Sequence, residues 1–285
     1  MTYDVLLTRA ALRLQAAGSA SPRLDAEVLM MHAASVTRAW LYAWGDGECE
    51  GIARARFEAL VAARAAGHPV AYLIGEREFW GLCLRVGEST LIPRPDTECL
   101  VETLLAKMPH RAGTALDLGT GTGAIALALA TERPAWHVTG VDREQAAVAL
   151  AEDNARRLGA TNATFLVSDW FAALEGMTFD AIAANPPYVA EDDPHLALGD
   201  VRFEPRSALV ASDAGMADLR YLAMAARRYL VAGGWLALEH GWEQASRVRG
   251  VLVRAGYEEV VSETDLGARE RITLGRAPAG RADQH

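Results

Sequence analysis

From residue 96 onward, short apolar runs of strand length alternate with longer stretches of helical period, and most runs end at glycine, proline, asparagine or aspartate. "TALDLG" is followed by "AIALALAT", and "WHVTGVD" by "EQAAVALAEDNARRLG". Then come "TFLVSD", "FDAIAANPPYV", "MADLRYLAMAARRYLVAGG", "WLALEH" and "QASRVRGVLVRAG", and the chain closes with "YEEVVSETD" and "RERITLGR". Strands separated by helices of this length need crossover connections, which build a mostly parallel, doubly wound sheet of the α/β class. Ligands of such sheets bind outside the carboxyl ends of the strands, so the chemistry is to be sought where these runs stop.

Residues 1–75 read differently. "SPRLDAEVLMMHAA" offers Ser21 as N-cap and Pro22 at the first helical position, with Leu24, Val28, Leu29 and His32 on one face. "GIARARFEALVAARAAG" repeats the pattern with Ile52, Leu60 and Val61 inward and stops at Gly67. These residues form a small helical domain, and Trp40 and Trp44, four apart, belong to its core or to a partner surface. Residues 76–95, punctuated by glycine and proline, read as a β-hairpin linker. Residues 96–276 form the sheet domain, and 277–285 a disordered tail with nothing worth burying.

The charge of −9 is unevenly spread: residues 1–80 carry 8 basic and 9 acidic side chains, which leaves 20 against 28 for the rest. An acidic sheet domain argues against gripping a nucleic-acid backbone through many phosphates. Cys49, Cys83 and Cys99 show neither Cys-x-x-Cys spacing nor a pattern with the histidines, so no metal site is expected. With no signal-like start and no apolar run of spanning length, a soluble, cytoplasmic protein is expected.

The first strand runs into "LDLGTGTGAIA", placing Gly119, Thr120, Gly121, Thr122 and Gly123 in the strand-to-helix turn, where the backbone must bend sharply and approach a ligand closely. Gly119, Gly121 and Ala124 also satisfy the G-x-G-x-x-A form of the dinucleotide fingerprint, and Asp142 ends the next strand 23 residues after Gly119, placed to grip ribose hydroxyls. An NAD enzyme therefore stays open at this point. Asp142 has a structural reading too, as the N-cap of a capping box with Gln145, and the two readings are compatible. Ser168, Asp169 and Trp170 end the third strand, where a carboxylate and an indole face can meet an adenine.

The fourth strand ends in "AANPPYVA". Pro186 and Pro187 cannot join a sheet ladder, so they hold the backbone stiff and extended beyond it. Asn185 then offers its side-chain oxygen, Pro186 its carbonyl and Tyr188 a ring, a set suited to a planar NH2 group. Such a nitrogen is a poor nucleophile until both N–H groups are held, and these bonds strengthen as positive charge builds on it. Hydride transfer has no evident use for that arrangement, whereas methyl transfer to an amide or exocyclic amine does.

On "NPPY" the chain resembles the class I S-adenosylmethionine-dependent methyltransferases that carry this motif. "PVAYLIGEREFWGL", "LIPRPDTE", "LDLGTGTGAIAL", "NPPYV" and "FEPRSAL", in this order, resemble the peptide chain release factor N5-glutamine methyltransferases over nearly the whole chain. The resemblance implies a Rossmann-like methyltransferase domain behind a helical N-terminal domain, S-adenosyl-L-methionine as cofactor and the glutamine of the release factor Gly-Gly-Gln loop as substrate. It further implies that Gly119, Thr120, Gly121, Thr122, Gly123, Asp142, Asp169, Trp170 and Asn185 bind the cofactor. Asn185, Pro186, Pro187 and Tyr188 would hold the glutamine, with Asn185, Pro186 and Tyr188 catalytic. Ribosomal-protein glutamine methyltransferases are near relatives, but "IPRPDTE" with Pro95 and Asp96 looks more like the release-factor branch. DNA adenine methyltransferases need a flipped base and usually a recognition domain, and this chain has no basic arm or spare module.

Overall fold

A computed structural model describes residues 1–109 and 111–279. These fall into two compact units, one of Met1–Glu76 with His195–Phe203, the other of Arg77–Pro194 with residues 204–279.

The first unit is helical: α1 (Tyr3–Ala16), α2 (Pro22–Ala34), α3 (Arg38–Trp44), α4 (Gly51–Ala65) and α5 (Val70–Ile74). The Thr2 and Thr37 hydroxyls accept backbone N–H groups at the starts of α1 and α3. Tyr3, Leu7, Leu14, Leu29, Met30, Phe57 and Val61 form the core. This corrects the expected inward faces. On α2 the buried apolar residues are Ala26, Leu29, Met30 and Ala33, with Leu24 and His32 exposed, and on α4 Phe57 and Val61 are buried while Ile52 is 71% exposed. Polar anchoring rotates α2, because its Asp25 and Glu27 are buried: Asp25 meets Arg64 at 2.8 Å, and Glu27 meets Arg23 and Arg38 at 2.8 and 2.7 Å. Arg64 also reaches Asp200 at 2.6 Å, which ties residues 195–203 into this unit. Trp40 packs edge-on against Tyr3, whereas Trp44 is 60% exposed.

A hairpin follows, β1 (Glu76–Phe79) and β2 (Leu82–Arg85), and then a helix absent from the sequence reading, α6 (Glu98–Lys107). Beyond it come β3 (Gly113–Leu118), α7 (Ala124–Glu132), β4 (Trp136–Asp142), α8 (Gln145–Leu158), β5 (Ala163–Val167) and β6 (Phe179–Ala184). After a long loop come the single turn α9 (Ser212–Gly215), α10 (Ala217–Ala225), β7 (Leu230–Glu239), α11 (Ala245–Arg254), β8 (Glu258–Thr264) and β9 (Glu270–Arg276). The helix expected to run to "VAGG" stops early, because Leu230 already pairs with Phe179 of β6.

The seven strands are ordered β5-β4-β3-β6-β7-β9-β8, parallel from β5 to β7, with β9 antiparallel to β7 and β8 to β9. Successive side chains take opposite faces: Ala181 and Ala183 enter one core with α6 and α7, Ile182 and Ala184 the other with α10 and α11. Helix α7 is buried from Ala124 through Ala130, which is why it carries no polar face. The order reverses at β3, which lies between β4 and β6. Leu118 is in register with Val141 and with Ala184, so residues 119, 142 and 185 all emerge at one edge of the sheet.

Ala277 is buried and its N–H donates to the Gly234 carbonyl at 2.7 Å, so the chain stays packed one residue past β9, a correction to a tail beginning at 277. The rest of that expectation, from residue 280 on, lies outside the described residues. Asn154 of α8 is fully buried. Its amide donates to the Thr122 and Arg85 carbonyls at 2.9 and 3.0 Å and accepts the Arg85 N–H at 2.7 Å, joining the glycine turn to β2. Replacing Asn154 by Leu removes three side-chain hydrogen bonds to the backbone, one of them to the buried Thr122 carbonyl, and should cost about 3 kcal/mol by denaturant titration.

Candidate active site

A cavity opens where the strand order reverses. Its wall includes Gly119, Thr120, Gly121 and Thr122 from the turn after β3, Asp142 from the end of β4, Asp169 and Trp170 after β5, and Asn185 and Pro187 after β6. Arg94, Thr97 and Asp218 contribute too. Gly123 stands outside this wall at the start of α7, where an added Cβ would meet Ala151 and Leu127 at 3.1 Å. Gly119 and Gly121 have φ of 72° and 54°, backbone that favours glycine, and they bring main chain to the cavity without a side chain.

Beneath the turn lies Asp117, fully buried, whose Oδ2 accepts the Thr120 hydroxyl at 2.6 Å and the Ala126 N–H at 3.1 Å. Burial pushes its carboxyl up to about 7, the two hydrogen bonds pulling against that and the Asp142 charge adding to it. The folded state therefore holds this proton more tightly than the unfolded chain. Its contribution to stability is complete below the ordinary value of 3.8 and is lost as pH rises through about 7. Asp117→Asn should show a shallower fall in unfolding free energy over that interval than the parent protein.

Asp142 does not cap α8. Its Oδ1 accepts the Glu144 N–H and its Oδ2 the Gly121 N–H, both at 3.0 Å, while Gln145 is the first residue of the helix and the capping box is not formed. The carboxylate is drawn instead to the glycine turn beside it. It keeps spare lone pairs for hydroxyl donors and orients the turn at the same time. Trp170 sits at φ 50°, an uncommon backbone state for a bulky residue. The Ser168 hydroxyl donates to the Trp170 carbonyl at 2.8 Å and accepts the Ala173 N–H, which holds that turn. A Cβ on Gly119 would lie 3.5 Å from the indole, so the ring stands over the glycine turn.

Asn185 is half-buried and its Nδ2 donates to the Thr97 hydroxyl oxygen at 3.1 Å, which leaves Oδ1 as the acceptor it can offer a ligand. Pro186 is buried. Tyr188 is not among the residues of the cavity wall: its ring packs against the core of one sheet face and its hydroxyl approaches Glu239 Oε1 at 3.4 Å. Burial and the Glu239 charge raise the Tyr188 phenol well above its ordinary range. Glu239, at the end of β7, is 2% exposed, and burial pushes its carboxyl up to about 7 against the stabilising Thr97 hydroxyl and the Arg271 charge.

Several of these groups escaped the sequence reading. Thr97 and Arg94 lie within "IPRPDTE", read only as a resemblance. Glu204, inside "FEPRSAL", is buried, pairs with Arg94 and accepts the Ile92 N–H at 3.1 Å. Glu239 had one visible signal, an acidic residue ending the apolar run "WLALE".

This sheet order and this cavity define an S-adenosylmethionine-dependent methyltransferase of class I. The residues fit that cofactor: a glycine turn open to close approach, a carboxylate beside it, an indole face, and a wall in which Asp142, Glu144, Asp169 and Asp218 outnumber Arg94 and Arg143, as suits a sulfonium cation. The family model described as the PrmC N-terminal domain matches residues 5–75, and that of the methyltransferase small domain matches residues 95–205. A release factor glutamine methyltransferase of Vibrio cholerae is 50% identical over 277 residues, covering 97% of each chain. That of Escherichia coli K12 is 51% identical over 276 residues, covering 97% of this chain and 99% of its own. The chain belongs to the release factor glutamine methyltransferase family. Among solved structures, a methyltransferase of Pyrococcus furiosus shares the fold, with a TM-score of 0.53 at 17% identity over 78% of this chain and 98% of its own. Among the described residues no helix is long and apolar enough to cross a membrane.

Proposed function

We propose that this enzyme transfers a methyl group from S-adenosylmethionine to the side-chain nitrogen (N5) of the glutamine in the Gly-Gly-Gln motif of peptide chain release factors, and so modulates translation termination. The observation that carries this reading is the polarity of Asn185: its NH2 is given to Thr97, which leaves its carbonyl oxygen as the acceptor a ligand would meet at the end of β6, beside the glycine turn. An acceptor there suits a substrate that presents two N–H groups, and half of this sequence is shared with proteins named for release factor glutamine methylation.

Gly119, Thr120, Gly121, Thr122, Asp142, Asp169, Trp170 and Asn185 would hold the cofactor, with Gly123 supporting the turn from behind. When bound, it supplies an electrophilic methyl group on a sulfonium centre. Asn185 Oδ1 and the Pro186 carbonyl each accept one N–H of the glutamine amide, Pro187 keeps them aimed, and the bonds tighten as charge develops on nitrogen. Tyr188 braces the segment from below through Glu239. Positioning carries most of the rate, with no covalent enzyme intermediate and no strong base, because an N-alkylated amide cation gives up its proton readily. The same reading places the enzyme in the cytoplasm with its substrates and gives it no stable nucleic-acid partner.

Mass spectrometry of purified release factor incubated with enzyme and S-adenosylmethionine should find one added methyl, on that glutamine. A methyl on a ribosomal protein or on adenine in DNA, with the release factor untouched, would overturn the assignment. Asp142→Ala should raise the dissociation constant of S-adenosylhomocysteine by about tenfold to a hundredfold, the loss of charge-assisted bonds of about 1.5–3 kcal/mol. Unchanged affinity in calorimetry would leave Asp142 a purely structural anchor.

A further inference from the structure

Arg94 stands between Pro93 and Pro95 and reaches the cavity wall from the segment that precedes α6. Its backbone is extended, at φ −103° and ψ 142°, the state that a following proline imposes, so the root of the side chain is held stiffly. Behind it is Glu204, whose side chain has no exposed surface. Glu204 Oε1 accepts a hydrogen bond from Arg94 Nη2, and its Oε2 accepts the Ile92 N–H at 3.1 Å. We infer that Arg94 is a cofactor-binding residue: its guanidinium receives the α-carboxylate of the methionine half of S-adenosylmethionine, and Glu204 holds it in place for that contact.

Charge narrows the choice first. The methionine half of the cofactor carries a sulfonium, an ammonium and a carboxylate. A wall with Asp142, Glu144, Asp169 and Asp218 suits the two cations but repels the carboxylate, which needs a cation of its own to leave water. Arg94 and Arg143 are the cationic residues of that wall. Place decides between them. Arg143 follows Asp142, at the ribose end, and turns toward Glu144 at 3.6 Å and the Ser207 carbonyl at 3.4 Å. Arg94 lies at the end where the methyl leaves: its carbonyl accepts the Thr97 N–H at 3.1 Å, and the Thr97 hydroxyl oxygen accepts the Asn185 amide at 3.1 Å. The same segment passes the glycine turn, since a Cβ on Gly121 would lie 3.9 Å from that of Thr90. The methionine chain is short and begins at the sulfur, so its carboxylate ends on the Asn185 side of the cavity. Arg94 also has donors to spare. A guanidinium presents several N–H groups in a rigid fork, and Glu204 takes one of them, on Nη2. Those that remain match a carboxylate, which can accept two at once. As half of a buried pair Glu204 adds little net stability, because desolvation offsets most of the attraction; what it supplies is a fixed direction for the fork.

This role rests on the reading that the cavity holds S-adenosylmethionine with its sulfur beside Asn185, and two ligands separate the claims. Calorimetry compares S-adenosylhomocysteine with its decarboxylated form, which keeps adenosine, thioether and ammonium. The wild-type protein should prefer S-adenosylhomocysteine by about tenfold to a hundredfold, the worth of charge-assisted hydrogen bonds. Arg94→Gln keeps a donor for Glu204 and removes the charge. It should erase most of that preference by weakening S-adenosylhomocysteine, with the decarboxylated form bound within about threefold of wild type. Arg143→Gln should retain the preference. Should Arg94→Gln fail to fold, its combination with Glu204→Gln leaves no buried charge unpaired and takes its place. A preference that survives in the Arg94 variant, or an equal weakening of both ligands, overturns the assignment. If the wild-type protein binds both ligands equally, the assignment falls and the cofactor reading stands. If it binds neither, the cofactor reading falls and the role of Arg94 with it.

Discussion

Asn185→Ala should lower kcat for release-factor methylation by about a hundredfold to a thousandfold, the range seen when one hydrogen-bonding group that stabilises developing charge is removed. The substitution deletes the acceptor at the reacting nitrogen and leaves the Thr97 hydroxyl without its donor. Cofactor binding should weaken but persist, since Asp142, the glycine turn and Trp170 are untouched. Single-turnover methylation together with calorimetry on S-adenosylhomocysteine separates the two effects. A variant that turns over near the wild-type rate would remove the Asn-Pro-Pro-Tyr segment from the chemistry.

The second large effect concerns the helical unit, which we propose docks the substrate. A glutamine and two glycines offer too little surface for specific recognition, whereas stable protein complexes bury about 1,200–2,000 Å² in total. Deleting residues 1–75 should spare cofactor affinity and lower kcat/KM on intact release factor on the order of a hundredfold, the loss of one or two central contacts. The deletion also removes Arg64, which holds Asp200, so loss of that tie is a competing cause. A full-length variant avoids it: Trp44 and Ile52 are 60% and 71% exposed, and their replacement by Ala and Ser should raise KM while leaving kcat and fold intact. A folded truncation that methylates release factor as efficiently as the full chain would refute the docking role.

The α/β architecture was legible in advance because strand and helix periods are local properties, and so were the breaks at glycine and proline. The residues at the ends of β3, β4, β5 and β6 could be named from those breaks alone, and Gly119, Gly121, Asp142, Asp169, Trp170 and Asn185 do line one cavity. Local pattern was weaker where polar anchoring competes with it. Asp25 and Glu27 rotate α2 away from the face its leucines suggest, and Asp142 turns to Gly121 in place of capping α8.

By itself the sequence determined which segments end at the carboxyl edge of the sheet and which acceptors the prolines stiffen there, since backbone stiffness and periodicity act over a few residues. Only the tertiary structure decided that Thr97 holds the Asn185 amide, that Glu204 holds Arg94, and that Tyr188 faces a buried carboxylate. Those pairings join residues up to 110 positions apart, from Arg94 to Glu204, and no short-range pattern encodes them. They arise when parallel strands come into register and burial forces each polar group to find its partner among whichever side chains lie beside it.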